Sequence, residues 1–322
     1  MFKASGYTPR MAAQLEGLQA GLIHAHFEDG GIQALSLARQ LKLPVITTCH
    51  GADVTVKPEF RRTNILKRRW HEKRRHLLLE SGGKFVAVSN HIRTRMLERG
   101  YPSADTETHY IGVDTDLFAP GEEEKDDGLV LFVGRLVEKK GCAYLIKAMA
   151  AVRRQLPKAH LVIIGDGPLR AQLEALARSE DCRCEFLGVQ PPPRVQELMG
   201  RASLVAVPSV TAQNGDTEGL PLVVCEAQAM GLPVVGFHHA GIPEAVVHGV
   251  TGLLCPEGHV EELASHLACL LADRTLREKF GIEARQRMRQ HFNLQVQTAA
   301  LELFYRSTLK SGTGVAMNSG QP

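Results

Sequence analysis

Short apolar runs, rich in Val and Ile and mostly unbroken, recur along the chain with helix-length amphipathic stretches between them. Runs such as V-I-T-T-C (45–49), F-V-A-V-S (85–89), L-V-L-F-V-G (129–134), L-V-I-I-G (161–165) and L-V-A-V-P (204–208) lack the polar alternation of a half-exposed strand, so both of their faces must be covered. Helices separating consecutive strands of this kind require parallel βαβ crossovers. Four further runs fit the series: L-I-H-A-H-F (22–27), T-H-Y-I-G (108–112), C-E-F-L-G (184–188) and P-V-V-G-F (233–237). The expected class is α/β, with Rossmann-like doubly wound sheets.

Between the fourth and fifth runs lies V-D-T-D-L-F-A-P-G-E-E-E-K-D-D-G (113–128), rich in acids, Pro and Gly, which reads as a linker. It predicts a first domain over 1–120 and a second over 121–290, followed by an amphipathic helix over 291–310 and a disordered tail over 311–322. A length of 322 residues accommodates two domains. The first offers about four strands after a helix-like M-A-A-Q-L-E-G-L and is expected to be shortened; the second has at least five. A net charge of +3 gives no global field for nucleic acid. Seven cysteines without a secretory h-region point to a reducing, cytoplasmic setting with free thiols, and no apolar run reaches the ~18 residues of a membrane span.

In open α/β sheets ligands sit beyond the carboxyl ends of the strands, so the residues following each run carry the chemistry. V-G-R-L-V-E-K-K-G places Arg135 and Lys140 where two cations suit a pyrophosphate, although a solvated turn would look the same. I-G-D-G-P-L-R has Arg170 where a dinucleotide fingerprint needs its third glycine; helix capping by Asp166, with Pro168 in the first turn, accounts for most of it. T-E-G-L-P-L-V-V-C-E-A-Q-A-M-G-L-P-V-V-G (217–236) is more informative. Pro221 fits a first helical position, which leaves the amides of Gly219, Leu220, Leu222 and Val223 at a helix N-terminus suited to an anion. Glu226 would face the same rim, and Glu218 would stand in the loop before it. A nucleotide sugar satisfies these groups together, its diphosphate on cations and amides and its hydroxyls on the two glutamates. Two paired or solvated acids would be the plainer account.

The series G-R-L-x-x-K-K-G, G-D-G-P-L-R, E-G-L-P-L-V-V-C-E-A-Q-A-M-G-L-P-V-V, H-A-G-I-P-E-A-V and G-x-T-G-L-L resembles the retaining glycosyltransferases of family 4. H-A-H-F, C-H-G-A-D and V-S-N-H resemble their exopolysaccharide branch, of the colanic acid or amylovoran type. The resemblance implies the GT-B fold, two Rossmann-like domains facing across a cleft, with the first incomplete because the usual opening βα units do not precede Leu22. It implies transfer of a hexose from a UDP- or GDP-sugar to a lipid-linked glycan with retention, without metal or cofactor. Carried over residue by residue, it assigns Arg135 and Lys140 to the diphosphate, Glu226 to the ribose, Glu218 to the hexose with Gly219, Leu220 and Leu222 amides nearby, and the peptides around Val189 to the base. It brings His50 to the reacting bond. Catalytic roles then fall to His50, Arg135, Lys140 and Glu218; Asp216 makes no D-x-D motif and is read as a loop residue. A non-catalytic nucleotide-sugar-binding remnant, or another GT-B enzyme such as a phosphorylase or epimerase, stays open as an alternative.

Residues 61–76, R-R-T-N-I-L-K-R-R-W-H-E-K-R-R-H, carry eight Lys and Arg against one Glu. Arg68, Arg69, Trp70, Lys73 and Arg74 are candidates for contact with an anionic membrane surface, since a cation near such a surface gains about 1 kcal/mol. A solvated helix face is the other reading.

Overall fold

The structure is a computed structural model that describes residues 14, 17–61 and 65–310. It divides into two compact units, each with its own parallel sheet. Unit 1 comprises residues up to Tyr110 together with Asn214–Gly219 and the chain from Thr298; unit 2 comprises Ile111–Gln213 and Leu220–Gln297.

Unit 1 has four strands in the order β1 (Ile23–His26), β2 (Val45–Cys49), β3 (Lys84–Ala87) and β4 (Thr106–Thr108). The crossovers carry helices α1 (Glu28–Leu41), α2 (Ile65–Leu79) and α3 (Asn90–Glu98). β2 is buried along its whole length, as its lack of alternation requires. Ile46, Leu78, Phe85, Ile92 and Met96 are fully buried, each contributing roughly 1.5–3 kcal/mol from removed apolar surface. Ser89 caps α3 by accepting from the Ile92 amide.

Unit 2 has six strands: β5 (Leu129–Val133), β6 (His160–Ile164), β7 (Cys184–Gly188), β8 (Leu204–Val207), β9 (Val234–Phe237) and β10 (Gly252–Cys255). Their order in the sheet is β10-β9-β8-β5-β6-β7. The order reverses at β5, which pairs with β6 on one side and β8 on the other. The helices are α4 (Cys142–Gln155), α5 (Arg170–Ser179), α6 (Pro192–Arg201), α7 (Leu222–Ala229), α8 (Val260–Ala272) and α9 (Arg274–His291). Leu145, Ile146, Met149 and Val152 recur at helical spacing on the buried face of α4, and Leu263, Leu267 and Leu270 do the same on α8. A last helix, α10 (Leu294–Lys310), begins in unit 2 and ends in unit 1, where the Tyr305 hydroxyl meets His24 Nδ1 at 2.5 Å.

Several elements differ from the sequence reading. The fourth strand lies at 106–108 rather than 108–112: the His109 amide makes the last ladder bond, to the Ala87 carbonyl, and residues 109–112 do not continue the pairing with β3. β10 was not foreseen as a strand; its G-L-L-C is short and follows a turn, and only its pairing with β9 makes it regular. The acid-rich 113–128 stretch is anchored within unit 2: Asp114 Oδ1 accepts from the amides of Asp116 and Leu117, and Asp127 pairs with the buried Arg277. The units therefore part at 110/111 rather than at 120, and the hexapeptide 214–219 belongs with unit 1. The M-A-A-Q-L-E-G-L helix lies mostly, and the 311–322 tail wholly, outside the described residues.

Candidate functional site

In unit 2 the candidate residues gather where the strand order reverses. Arg135 follows β5 and is exposed. Lys140 closes a helical turn, Glu138–Lys140, and its alkyl chain runs beside Gly134. That turn is fixed to the loop after β8, since the Val210 amide donates to the Lys139 carbonyl at 2.8 Å. Gly141 has φ +64°, and a Cβ there would collide with the Pro208 carbonyl. Only glycine permits this approach at no strain, which is how K-K-G brings Lys140 to the rim.

Helix α7 leaves the same rim after β8. Pro221 takes the position before the first helical residue, with φ −67° and ψ 115°, rather than the first helical position itself. Its carbonyl accepts from the Val224 amide, and the first-turn amides of Leu222 and Val223 have no residue one turn earlier within the helix to receive them. Leu220 is buried and Leu222 exposed. Glu226 is half-buried in the second turn of α7, and burial raises its carboxyl above the ordinary value. No cation or hydrogen-bond donor is paired with that carboxylate among the described residues. Val189 is exposed beyond edge strand β7, with two strand spacings between that edge and β5. Asp166 does not cap α5; its carboxylate instead pairs with Arg170 at 3.2 Å and accepts from the Gly167 amide, because α5 starts only at Arg170.

Unit 1 holds the remaining candidates, and it brings them together. The hexapeptide Asn214–Gly219 is tied to the loop after β2: the Lys57 amide donates to the Asn214 carbonyl at 2.9 Å and the Thr217 amide to Thr55 Oγ1 at 3.3 Å. His91 lies 3.2 Å from Thr217 Oγ1. A Cβ on Gly219 would strike the His50 carbonyl, so the E-G pair rests directly against the H-G pair of C-H-G-A-D. Glu218 is buried.

The histidines of β1 and the loop after β2 form a cluster that the sequence reading did not assign. His26 Nδ1 and His50 Nε2 are 2.9 Å apart, and His24 Nε2 meets Thr48 Oγ1 at 2.7 Å. Burial, with the neighbouring imidazoles adding to it, lowers His24 to about 4. Burial likewise lowers His50, with His26 adding to it and Asp53 opposing. Asp53 Oδ1 accepts from the amides of His50 and Gly51, which fixes the loop. Phe27 adopts φ +66° and lays its exposed ring 4.7 Å from that of His50. A cavity of about 460 Å³ opens here, lined by His26, Phe27, Asp29, Asp53 and His71 among others. Its floor is organised by Glu28, 1% exposed, which receives Arg75 at 3.0 Å and the Tyr101 hydroxyl at 2.6 Å. The signal for this cluster was H-A-H-F itself, since alternation in a strand sends His24 and His26 to one face.

Of the basic segment, Arg69, Trp70 and Lys73 are exposed and Arg74 stacks on the Trp70 ring at 4.9 Å. The side chains of residues 61–68, Arg68 among them, lie outside the described ones. No helix among the described residues is long and apolar enough to cross a membrane, and all seven cysteines are free thiols.

Comparison with known proteins gives this arrangement a lineage. Residues 113–287 match the family model described as glycosyl transferases group 1, and residues 3–117 match that of glycosyltransferase family 4. The amylovoran biosynthesis glycosyltransferase AmsK of Erwinia amylovora is 31% identical over 297 residues, 89% of this chain and 70% of that one. Among solved structures, the sucrose-phosphate synthase of Thermosynechococcus elongatus superposes with a TM-score of 0.77 at 25% identity, covering 94% of this chain and 77% of that one. HepE of Anabaena in complex with UDP-glucose superposes with a TM-score of 0.77 at 21% identity, covering 92% and 81%. The fold is GT-B. With matches spanning both units, the chain belongs to the glycosyltransferases of group 1 and family 4, and is a glycosyltransferase enzyme.

Proposed function

We propose that this glycosyltransferase moves a hexose from a UDP- or GDP-sugar, with retention, onto a lipid-linked glycan during assembly of a bacterial surface polysaccharide. The observation that carries the donor reading is Glu226: a half-buried carboxylate with no partner among the described residues, one helical turn beyond an amide-rich N-terminus. An unpartnered buried acid is costly, and the vicinal hydroxyls of a ribose would supply the missing donors. Arg135 and Lys140 would take the diphosphate with the amides of Leu220 and Leu222, and the peptides around Val189 the base. AmsK's role in amylovoran biosynthesis and the UDP-glucose bound by HepE support the reaction class and the kind of donor.

In unit 1, Glu218 and Gly219 would hold hydroxyls of the hexose, and His50 would meet it near the reacting bond. His50 is held by burial in its neutral form, able to donate one hydrogen bond and accept another without placing a charge against the sugar. As the glycosidic bond breaks, negative charge grows on the leaving diphosphate, and Arg135 and Lys140 stabilise it there. A charge-assisted contact of this kind contributes roughly 1.5–3 kcal/mol, more where water is excluded. This reading uses no metal, no cofactor and no covalent enzyme nucleophile. The exposed cations of α2, with Trp70, would hold the enzyme at the cytoplasmic face of the membrane where lipid-linked acceptors reside.

Incubation with labelled UDP- and GDP-hexoses tests the reading. Transfer, or slow release of hexose to water, is expected with one donor class; binding without any turnover would instead indicate a non-catalytic nucleotide-sugar-binding protein. Salt-sensitive binding to anionic vesicles is expected for the membrane contact, and equal binding to neutral vesicles would refute it.

A further inference from the structure

Unit 1 contains a second cavity, of about 400 Å³, whose chemistry is unlike that of the cavity beside His50. Lys57, Arg75, Arg95 and Arg99 line it, with Glu72 as the acid on its wall and Val56 on the side shared with the first cavity. The cations have different duties. Arg75 bonds the buried Glu28 at 3.0 Å and also donates to the Arg99 carbonyl; Arg99 donates to the Val54 carbonyl at 3.2 Å and lies 3.9 Å from Glu28. These two are fixed in place by the interior. Arg95 is exposed, with a surface pair to Glu98 at 2.6 Å, and Lys57 is exposed. An exposed i,i+3 pair holds little energy, so both can turn to a ligand. Three guanidiniums and an ammonium lining one hollow favour an anion there, and phosphate oxygens suit both kinds of donor.

Two further features bear on which phosphate. Val56 lines both this cavity and the His26–Asp53 cavity, so one residue borders the two. Its rim residues Thr55 and Lys57 are also the anchors of the hexapeptide bearing Glu218. We propose that this cavity binds the phosphate or diphosphate of the acceptor, whose sugar occupies the neighbouring His26–Asp53 cavity; the acceptor class is a sugar on a lipid phosphate. The inference rests on the glycosyltransferase reading above for the sugar, and on the cavity alone for the phosphate.

The test is equilibrium binding of farnesyl diphosphate in nonionic micelles to the full chain, with excess UDP and GDP present to occupy any donor site. The wild type is expected to bind, farnesol to bind at least tenfold more weakly, and the Lys57→Glu/Arg95→Glu variant to lose at least tenfold in affinity. Lys57→Gln/Arg95→Gln, gentler to the fold, should lose less, in the same direction. Absence of wild-type binding in the presence of UDP and GDP, retained affinity in both variants, or equal binding of farnesol would overturn the proposal. Loss of binding to phosphatidylglycerol vesicles without loss of farnesyl diphosphate binding would overturn it too, by making the cavity a site for membrane headgroups. If nucleotide sugars are never turned over while the variants lose farnesyl diphosphate, the enzymatic reading fails and the phosphate site stands. If donors are turned over and the variants bind normally, only the phosphate site fails.

Discussion

Glu226 joins function and stability in one side chain. Its carboxyl is raised by burial, so the folded state holds that proton more tightly than the unfolded chain does. Stability therefore falls as pH rises from the ordinary carboxylate value through the raised one. Glu226→Gln is expected to raise the thermal midpoint at neutral pH, while Glu226→Ala weakens nucleotide-sugar binding roughly tenfold to hundredfold, in line with loss of a hydrogen bond to a charged acceptor. Calorimetry and thermal melts on the two variants separate the effects; unchanged donor affinity in both would remove the ribose role. Donor binding should also weaken as pH falls through the raised value, since a protonated carboxyl accepts fewer hydrogen bonds. Arg135 and Lys140 were legible because they follow a strand end in the sequence, and Glu226 because it lies one turn into the helix that Pro221 announces. Asp53 was not, because its role is to accept from the amides of His50 and Gly51, and nothing in an isolated Asp reports which backbone groups will be near it.

Elements were legible where burial is two-sided. β5 and β8 are apolar throughout, β2 departs from that only at Thr47 and Thr48, and all three are nearly wholly buried, so tertiary context had little to override. β10 and β4 lie at sheet edges, where four or fewer residues acquire strand form from a single neighbour. The turn carrying Lys140 shows an element setting a residue's place: Gly141→Ala would force both a left-handed Cβ, costing roughly 1–2 kcal/mol, and a clash with the Pro208 carbonyl. The variant is expected to melt lower and to bind donor less well although it alters no contacting side chain; a normal affinity would show that the turn need not be rigid. Within β1, His24 resists protonation to about 4 while an unfolded histidine charges near 6.5. Its contribution is thus present at neutral pH and is lost as pH falls from 6.5 toward 4. His24→Gln should flatten that acid limb in unfolding experiments on the full chain, and an unchanged slope would assign the acid sensitivity elsewhere.

Across the whole molecule, the chain passes between the two units four times, at 110/111, 213/214, 219/220 and 297/298. Length and the alternation of elements sufficed to foresee two sheets, but not these returns, because a hexapeptide without strand or helix carries no periodic signal. The last passage places Tyr305 on His24 and Leu309 beside Gly21. Deleting residues 298–322 is therefore expected to destabilise unit 1 selectively, giving an early unfolding transition in urea while unit 2 keeps its own; a single unshifted transition would contradict that. The passage at 219/220 has a practical consequence for anyone dissecting the enzyme. A donor-binding fragment spanning 111–297 would contain Asn214–Gly219 but lack Thr55, Lys57, His91 and the His50 carbonyl that hold it. Such a fragment would present Glu226 in order and Glu218 on a loose tether, so nucleotide affinity measured on it would survive while discrimination among sugars would fade. Mixing it with the complementary piece would have to rethread that tether, and sugar selectivity, rather than binding, would be the signal that reassembly had succeeded.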